Sequence, residues 1–182
     1  NVPSKRGRIA ARYADLDFFK EIKATGKPVI TEPLMGRGTG VHVVTIAVPI
    51  KRNDGELLGV VMGVTNLEQT NFLDEISAAK YGQTGEFLLT APKSRIFIAS
   101  SNGGRTLKKG PLPGVNPVYD HYIEGKEGSG VYVSSRGIEE LSSSKIVPTT
   151  GWLMQSVLPT EEAFAPIYRM QQRLLIISCL LT

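Results

Sequence analysis

The sequence predicts an α+β protein built from two similar strand-and-helix modules in tandem. Three observations carry this. Glycine and proline supply 30 of the 182 residues, a share that favours short strands joined by turns over a helix bundle. Asn53-Asp54-Gly55 stands between two runs rich in β-branched residues, and Asp-Gly tolerates the positive φ that a tight hairpin turn requires. An order of strand, Val-Pro, glycine-bearing turn, apolar strand and helix occurs twice. It runs through Ile46-Ala47-Val48-Pro49 and Leu57 to Val64, then through Lys145-Ile146-Val147-Pro148 and Trp152 to Leu158.

From the N-terminus, Leu16, Phe18, Phe19 and Ile22 fall on one face of a helix spanning Ala14 to Ala24. Gly26 and Pro28 end it. Val29-Ile30-Thr31 is a short strand stopped by Pro33, and Met35 to Gly40 is a glycine-rich loop. Val41 to Ile50 and Leu57 to Val64 form the hairpin around Asp54-Gly55. Leu67 to Lys80 reads as a helix with Phe72, Leu73 and Ile76 on one side, broken by Gly82 and Gly85. Phe87 to Thr90 and Ile96 to Ser100 are strands. Three prolines place a loop over Gly110 to Pro117, before a short helix over Val118 to Ile123. Val131 to Ser134, Lys145 to Val147 and Trp152 to Leu158 are three more strands, with Trp152 in the core. A last helix starts at Thr160, and Pro166 should kink or break it.

The net charge of +4 is explained by a solvated surface as well as by nucleic acid, and no nucleic-acid partner is expected. One cysteine, Cys179, excludes an internal disulfide, and His42 and His121 show no metal-ligand spacing. No metal site and no cofactor are expected. Gly36-Arg37-Gly38-Thr39-Gly40 leads into a strand, whereas a phosphate-binding loop must open a helix. Glu139-Glu140 reads as part of a polar loop, and Glu161-Glu162 as acids offsetting the dipole of a helix's first turn. No catalytic constellation stands out, so an enzyme is not expected. Leu174 to Thr182 is apolar on every face and follows Arg169 and Arg173. It reads either as a packed helix or as the start of a membrane span, the latter being preferred.

Taken in order, Asp15 to Ile22, Gly26 to Pro33, Val44 to Pro49, Asp54 to Val61, Gly82-Gln83-Thr84-Gly85-Glu86 and Gly151-Trp152 to Pro159 resemble the double Cache family. Its members are extracytoplasmic sensor regions of bacterial chemoreceptors, histidine kinases and diguanylate cyclases. The wording is most similar to sensors attached to GGDEF-type cyclases, although no GGDEF sequence occurs here. The resemblance implies two PAS-like modules with antiparallel sheets. Residues 1–67 would be a membrane-distal module, truncated at its N-terminus, and 68–81 a connecting helix. Residues 82–159 would be the membrane-proximal module, and 160–182 a helix running into a membrane span.

The resemblance also implies a ligand pocket in the distal module. Amino-acid-binding members hold the ligand's carboxylate with an Arg and its ammonium with an Asp. Those positions align with Leu16 and with Val64 or Gly63 here, while the aromatic pair and a later Tyr align with Phe18-Phe19 and Leu34. Both charged anchors are lost, so a free amino acid is not expected to bind. Phe18, Phe19 and Leu34 would give an apolar wall, with Arg37 and His42 facing it. That set suits a small aromatic or short-chain carboxylate, against the reading of Phe18 and Phe19 as plain core and Arg37 as solvated. The expected protein is a periplasmic sensing segment of a bacterial inner-membrane receptor, working as a homodimer, with a diguanylate cyclase as output. The alternative is a structural or dimerisation module with a degenerate pocket.

Overall fold

The computed structural model describes residues 15–37 and 39–180. The first residue of the expected helix, the sequence before it, Gly38 of the glycine loop and the last two residues lie outside that description. The chain divides into two compact units, with the boundary after Gln69.

In the first unit, α1 (Asp17–Thr25) ends where Gly26 takes the left-handed conformation, φ 65°, and its N–H returns to the Ile22 carbonyl at 2.7 Å. Strands β1 (Val29–Ile30) and β2 (Leu34–Met35) both pair with β3 (His42–Lys51), and β4 (Leu57–Asn66) takes the other edge of β3. All pairings are antiparallel. The hairpin closes as expected: Gly55 has φ 91°, and Asp54 Oδ1 accepts from Glu56 N at 3.0 Å. Phe18, Ile22 and Ala47 form the core, with Leu16, Phe19, Val29, Leu57, Val60 and Met62 packed on it. Met35, expected in a loop, belongs to β2, because the sequence after Pro33 finds the free edge of β3 opposite Val43 and His42.

The second unit opens with α2 (Asp74–Ala78), only five residues long. This corrects the connecting helix expected over 68–81. Side chains of Asn and Asp capture the backbone there. Asn66 Oδ1 accepts from Glu68 N at 2.8 Å, Asn71 Oδ1 from Leu73 N at 3.0 Å, and Asp74 Oδ2 from Asn71 N at 2.9 Å. Such local bonds offer turns in place of helix.

The sheet of this unit comprises β5 (Glu86–Ala91), β6 (Ile96–Ser100), β7 (Gly128–Val133), β8 (Glu139–Ile146) and β9 (Leu153–Pro159), in spatial order β6-β5-β9-β8-β7. Helix α3 (Pro117–Ile123) covers one face. It starts at Asn116, whose side chain accepts from Tyr119 N at 3.0 Å, and carries Pro117 in its first turn. Leu88, Phe97, Tyr119 and Val157 make a core cluster, and Trp152 is buried as expected.

Strands β7 and β8 are longer than the apolar runs suggested, and Glu139-Glu140 lies on β8 rather than in a loop. Each module is thus an antiparallel sheet with helix packed on it, the α+β architecture expected. Helix α4 (Thr160–Leu180) runs through Pro166 without a break, and its Leu174, Leu175, Ile176 and Ile177 are exposed. No helix among the described residues is long and apolar enough to cross a membrane.

Candidate functional site

The five expected site residues fall on two stretches of the first unit. On α1, Phe18 is buried against Ile22 and Ala47, and Phe19 is half-buried on the same cluster. On the segment after β1, Leu34 lies opposite Val43 and His42 opposite Met35. Arg37 stands between them and is joined to the α1 side: its Nη1 and Nη2 donate to Asp15 Oδ1 and Oδ2, both at 2.9 Å. A bidentate guanidinium–carboxylate pair of this kind fixes geometry as well as charge. It ties the glycine loop to the entry of α1. The Arg37 hydrogen bonds hold the Asp15 carboxyl below the usual carboxylate range. His42 is likewise matched by an acid. Its backbone N donates to Glu68 Oε1 at 2.9 Å, and its ring Nδ1 lies 3.0 Å from the same oxygen. Those two bonds, the backbone one first, lower the Glu68 pKa.

The register resolves which residue of β4 shares the α1 face. Ala47 pairs with Met62 and Thr45 with Val64; Ala47 belongs to the cluster with Phe18 and Ile22, and Met62 packs on that cluster. Val64 is therefore on that face and Gly63 on the opposite one. Val64 is 58% exposed there. An open, uncharged position thus sits where an ammonium-binding acid was sought. The charges lie instead in the Asp15–Arg37 pair, which places one cation and one carboxylate side by side.

The second unit holds a cluster that sequence reasoning missed. Glu86 on β5 and Glu140 on β8 are fully buried, and Arg105 is nearly so. Arg105 Nε lies 2.9 Å from Glu86 Oε1, and its Nη2 donates to Glu140 Oε1 at 2.5 Å. Arg136 Nη2 reaches the same two carboxylates at 2.9 and 2.8 Å. Ser100 Oγ donates to Glu86 Oε2 at 2.9 Å. Two cations and two anions close on one another, so the cluster is neutral. The available signal was Glu86 in Gly82-Gln83-Thr84-Gly85-Glu86, but nothing in the sequence marks it as buried.

Comparison with known proteins agrees with this architecture. A family model described as a Cache domain matches residues 2–167. Among solved structures, the extracellular domain of a chain named as the histidine kinase mmHK1S-Z3 superimposes with TM-score 0.66 at 23% identity. That match covers 87% of this chain and 59% of the other. The periplasmic sensory domain of the Campylobacter jejuni chemoreceptor Tlp1 gives TM-score 0.62 at 20% identity, covering 84% and 58%. The ligand-binding domain of the Pseudomonas aeruginosa amino acid chemoreceptor PctB, solved with L-Arg, gives 0.63 at 19%, covering 94% and 65%. The chain therefore spans about 59% of the length of the first of these domains. At these identities the likeness shows the fold.

The expected exclusion of free amino acids does not stand. The fold is shared with a domain solved holding an amino acid. The exclusion also rested on Leu16 and Val64 alone, whereas Asp15 and Arg37 restore both signs of charge to the same unit.

Proposed function

We propose, since the chain belongs to the Cache domain family, that it is the small-molecule-sensing segment of a membrane signalling receptor. A Cache domain is a ligand-sensing module rather than an enzyme. The observation that carries the reading is the pairing of that family's two-unit fold with the Asp15–Arg37 clasp beside the α1 aromatics. The ligand is a small molecule bearing a carboxylate, amino acids included. Its carboxylate takes the Arg37 fork from Asp15, and the freed Asp15 accepts an ammonium where the ligand has one. Phe18, Phe19 and Leu34 supply the apolar side, and His42 a polar rim. Exchange of one bidentate partner for another releases α1 from the glycine loop, and a ligand acts only through such a difference between two states. The segment is periplasmic, its receptor sits in the bacterial inner membrane, and the working unit is a homodimer. A diguanylate cyclase is the proposed output, although the solved neighbours named above belong to a histidine kinase and chemoreceptors; the full-length reading frame decides this directly.

The second reading, a dimerisation module with an unused pocket, is favoured by one observation: Asp15 and Glu68 already satisfy Arg37 and His42. A thermal-shift screen of carboxylates and amino acids separates the two. At a hundredfold excess over Kd, a true ligand adds about 2.7 kcal/mol, a rise of about 5–10 °C at this size. Arg37→Ala should abolish that rise. No rise with any carboxylate, or one that Arg37→Ala leaves intact, would favour the second reading.

A further inference from the structure

We propose that the charge cluster of the second unit is a site for a small organic cation with N–H donors, a primary amine or a guanidine, and that Arg136 fills it as a displaceable plug. The two carboxylates stand on one face of the sheet. Glu140 and Ser142 share the inner face of β8, and Ser142 is in register with Val157, which is in register with Glu86 on β5. The two cations reach them from different places. Arg105 is buried. Arg136 belongs to the exposed turn between β7 and β8, where Ser134 N donates to the Ile138 carbonyl at 2.8 Å and Gly137 N to the Ser134 carbonyl at 2.9 Å. The Arg136 side chain is 36% exposed. Rotation of that side chain alone carries the guanidinium into water and leaves the strand pairing intact.

The carboxylates can take more donors than the two arginines supply. Glu140 Oε1 accepts from both, at 2.5 Å from Arg105 Nη2 and 2.8 Å from Arg136 Nη2. Glu140 Oε2 is buried and has no hydrogen-bond partner among the described residues. Glu86 Oε1 has Arg105 Nε and Arg136 Nη2 each 2.9 Å away, yet neither N–H is aligned on it as a hydrogen bond. Ser134 Oγ, buried at the start of the Arg136 turn, also lacks a partner. Buried polar atoms are rarely left so. Arg136 applies a single nitrogen to both carboxylates, whereas an ammonium brings three N–H donors.

The charge balance fixes the sign of the ligand. With Arg136 swung out, Glu86 and Glu140 face Arg105 alone, and the set carries one net negative charge. A monocation restores neutrality. An anion or a neutral guest leaves a buried charge uncompensated, which is costly. A quaternary ammonium supplies the charge but no donors, so Glu86 Oε1 and Glu140 Oε2 stay unserved. Tyr132 pairs with Glu140 across the ladder and gives an organic cation an aromatic neighbour.

The test is a thermal-shift and calorimetric titration of the whole chain with ethylammonium, ethanolamine and methylguanidinium at millimolar concentration, against acetate and tetramethylammonium. None of the three carries a carboxylate, so the site at Arg37 is not probed, and Arg37→Ala should leave the result unaltered. At least one of the three should raise the midpoint by about 5–10 °C at a hundredfold excess over Kd, and the controls should not. Arg136→Ala removes the plug and should bind the same cation about tenfold more tightly, because the open state is then fully populated. Should Arg136→Ala alone be partly unfolded, the cation should restore its midpoint. The double variant Arg136→Ala/Glu140→Gln keeps one buried cation against one buried anion and should lose that binding. Absence of a rise with all three cations would overturn the proposal. So would an Arg136→Ala variant that binds no more tightly than the parent, a double variant that binds as Arg136→Ala does, or an equal effect of tetramethylammonium. A rise confined to Arg136→Ala would mark a space made by the substitution and would overturn it too.

Discussion

Arg105 shows how much of the second unit depends on single side chains. Its guanidinium is the buried counter-charge of two buried carboxylates, with Arg136 closing the set from a side chain 36% exposed. Removing one member of a buried ionic set leaves charge uncompensated and typically costs about 3–5 kcal/mol. Arg105→Met should therefore lower stability by about that amount, read as a drop in the urea midpoint at unchanged m-value. Arg136→Met should cost clearly less, since its charge is partly solvated. Equal losses from the two would show that Arg105 does not carry the set. This cluster was illegible in the sequence for a physical reason. The inner face of β8 carries Glu140, Ser142 and Ser144, so the period-2 apolar signal that reveals a buried strand face is absent. Glu139-Glu140 consequently resembled a loop. The first unit was easier to read: Phe18 and Ile22 announce their face by helical spacing, and Asp54-Gly55 fixes the hairpin.

At the scale of elements, the entry of β5 is fastened to the start of α4. Glu162 Oε1 accepts from Gln83 N at 2.7 Å, and its Oε2 from Thr84 N at 2.8 Å and Thr84 Oγ1 at 2.6 Å. The sequence showed Glu162 as an acid in a first helical turn, which it is, but not a partner 78 residues away. The Thr84 hydroxyl first, and then the backbone N–H groups, hold the Glu162 carboxyl below the ordinary carboxylate range. With the folded pKa lowered, the fastening is complete above the unfolded carboxylate pKa and is lost as pH falls through the folded one. Hydrogen exchange at the Gln83 and Thr84 amides should thus quicken in Glu162→Gln at neutral pH, whereas Glu161→Gln should leave it unchanged. Gly85 beside this contact has no room for a side chain: a Cβ would lie 2.5 Å from the Tyr81 carbonyl oxygen and 2.7 Å from that of Val157. Both are backbone atoms, so relief requires moving the strand. Gly85→Ala should cost about 1–3 kcal/mol, measured by denaturant titration, while Gly63→Ala, on β4 with open space around the position of its Cβ and an ordinary strand backbone, should cost far less. The same scale explains the misread connecting helix. Phe72, Leu73 and Ile76 have helical spacing, but the side chains of Asn66, Asn71 and Asp74 take the N–H groups that a longer helix would need.

At the scale of the molecule, the two units differ in how alkali should affect them. Among the described residues, every tyrosine lies beyond the first unit, which ends at Gln69. In the second unit Tyr119, on the inner side of α3, and Tyr132, on β7, are both buried. Burial pushes the Tyr119 phenol up to about 12 and raises Tyr132 too, the nearby Glu140 carboxylate adding to the latter. A group whose pKa is raised on folding binds its proton more tightly in the native state. Its contribution is fully present below the unfolded tyrosine value of about 10 and is lost as pH climbs toward the folded value. For Tyr119, two pH units of separation correspond to about 2–3 kcal/mol. The second unit should therefore lose stability steeply between about pH 10 and pH 12. Urea titrations followed by circular dichroism across that range, with phenolate absorbance recorded in parallel, should show ionisation and unfolding of this unit together. Tyr119→Phe keeps the packing against Leu88, Phe97 and Val157 and removes the ionisable group, so its stability curve should flatten by about the same 2–3 kcal/mol. A phenol that titrates near pH 10 in the folded protein would show instead that α3 opens to solvent.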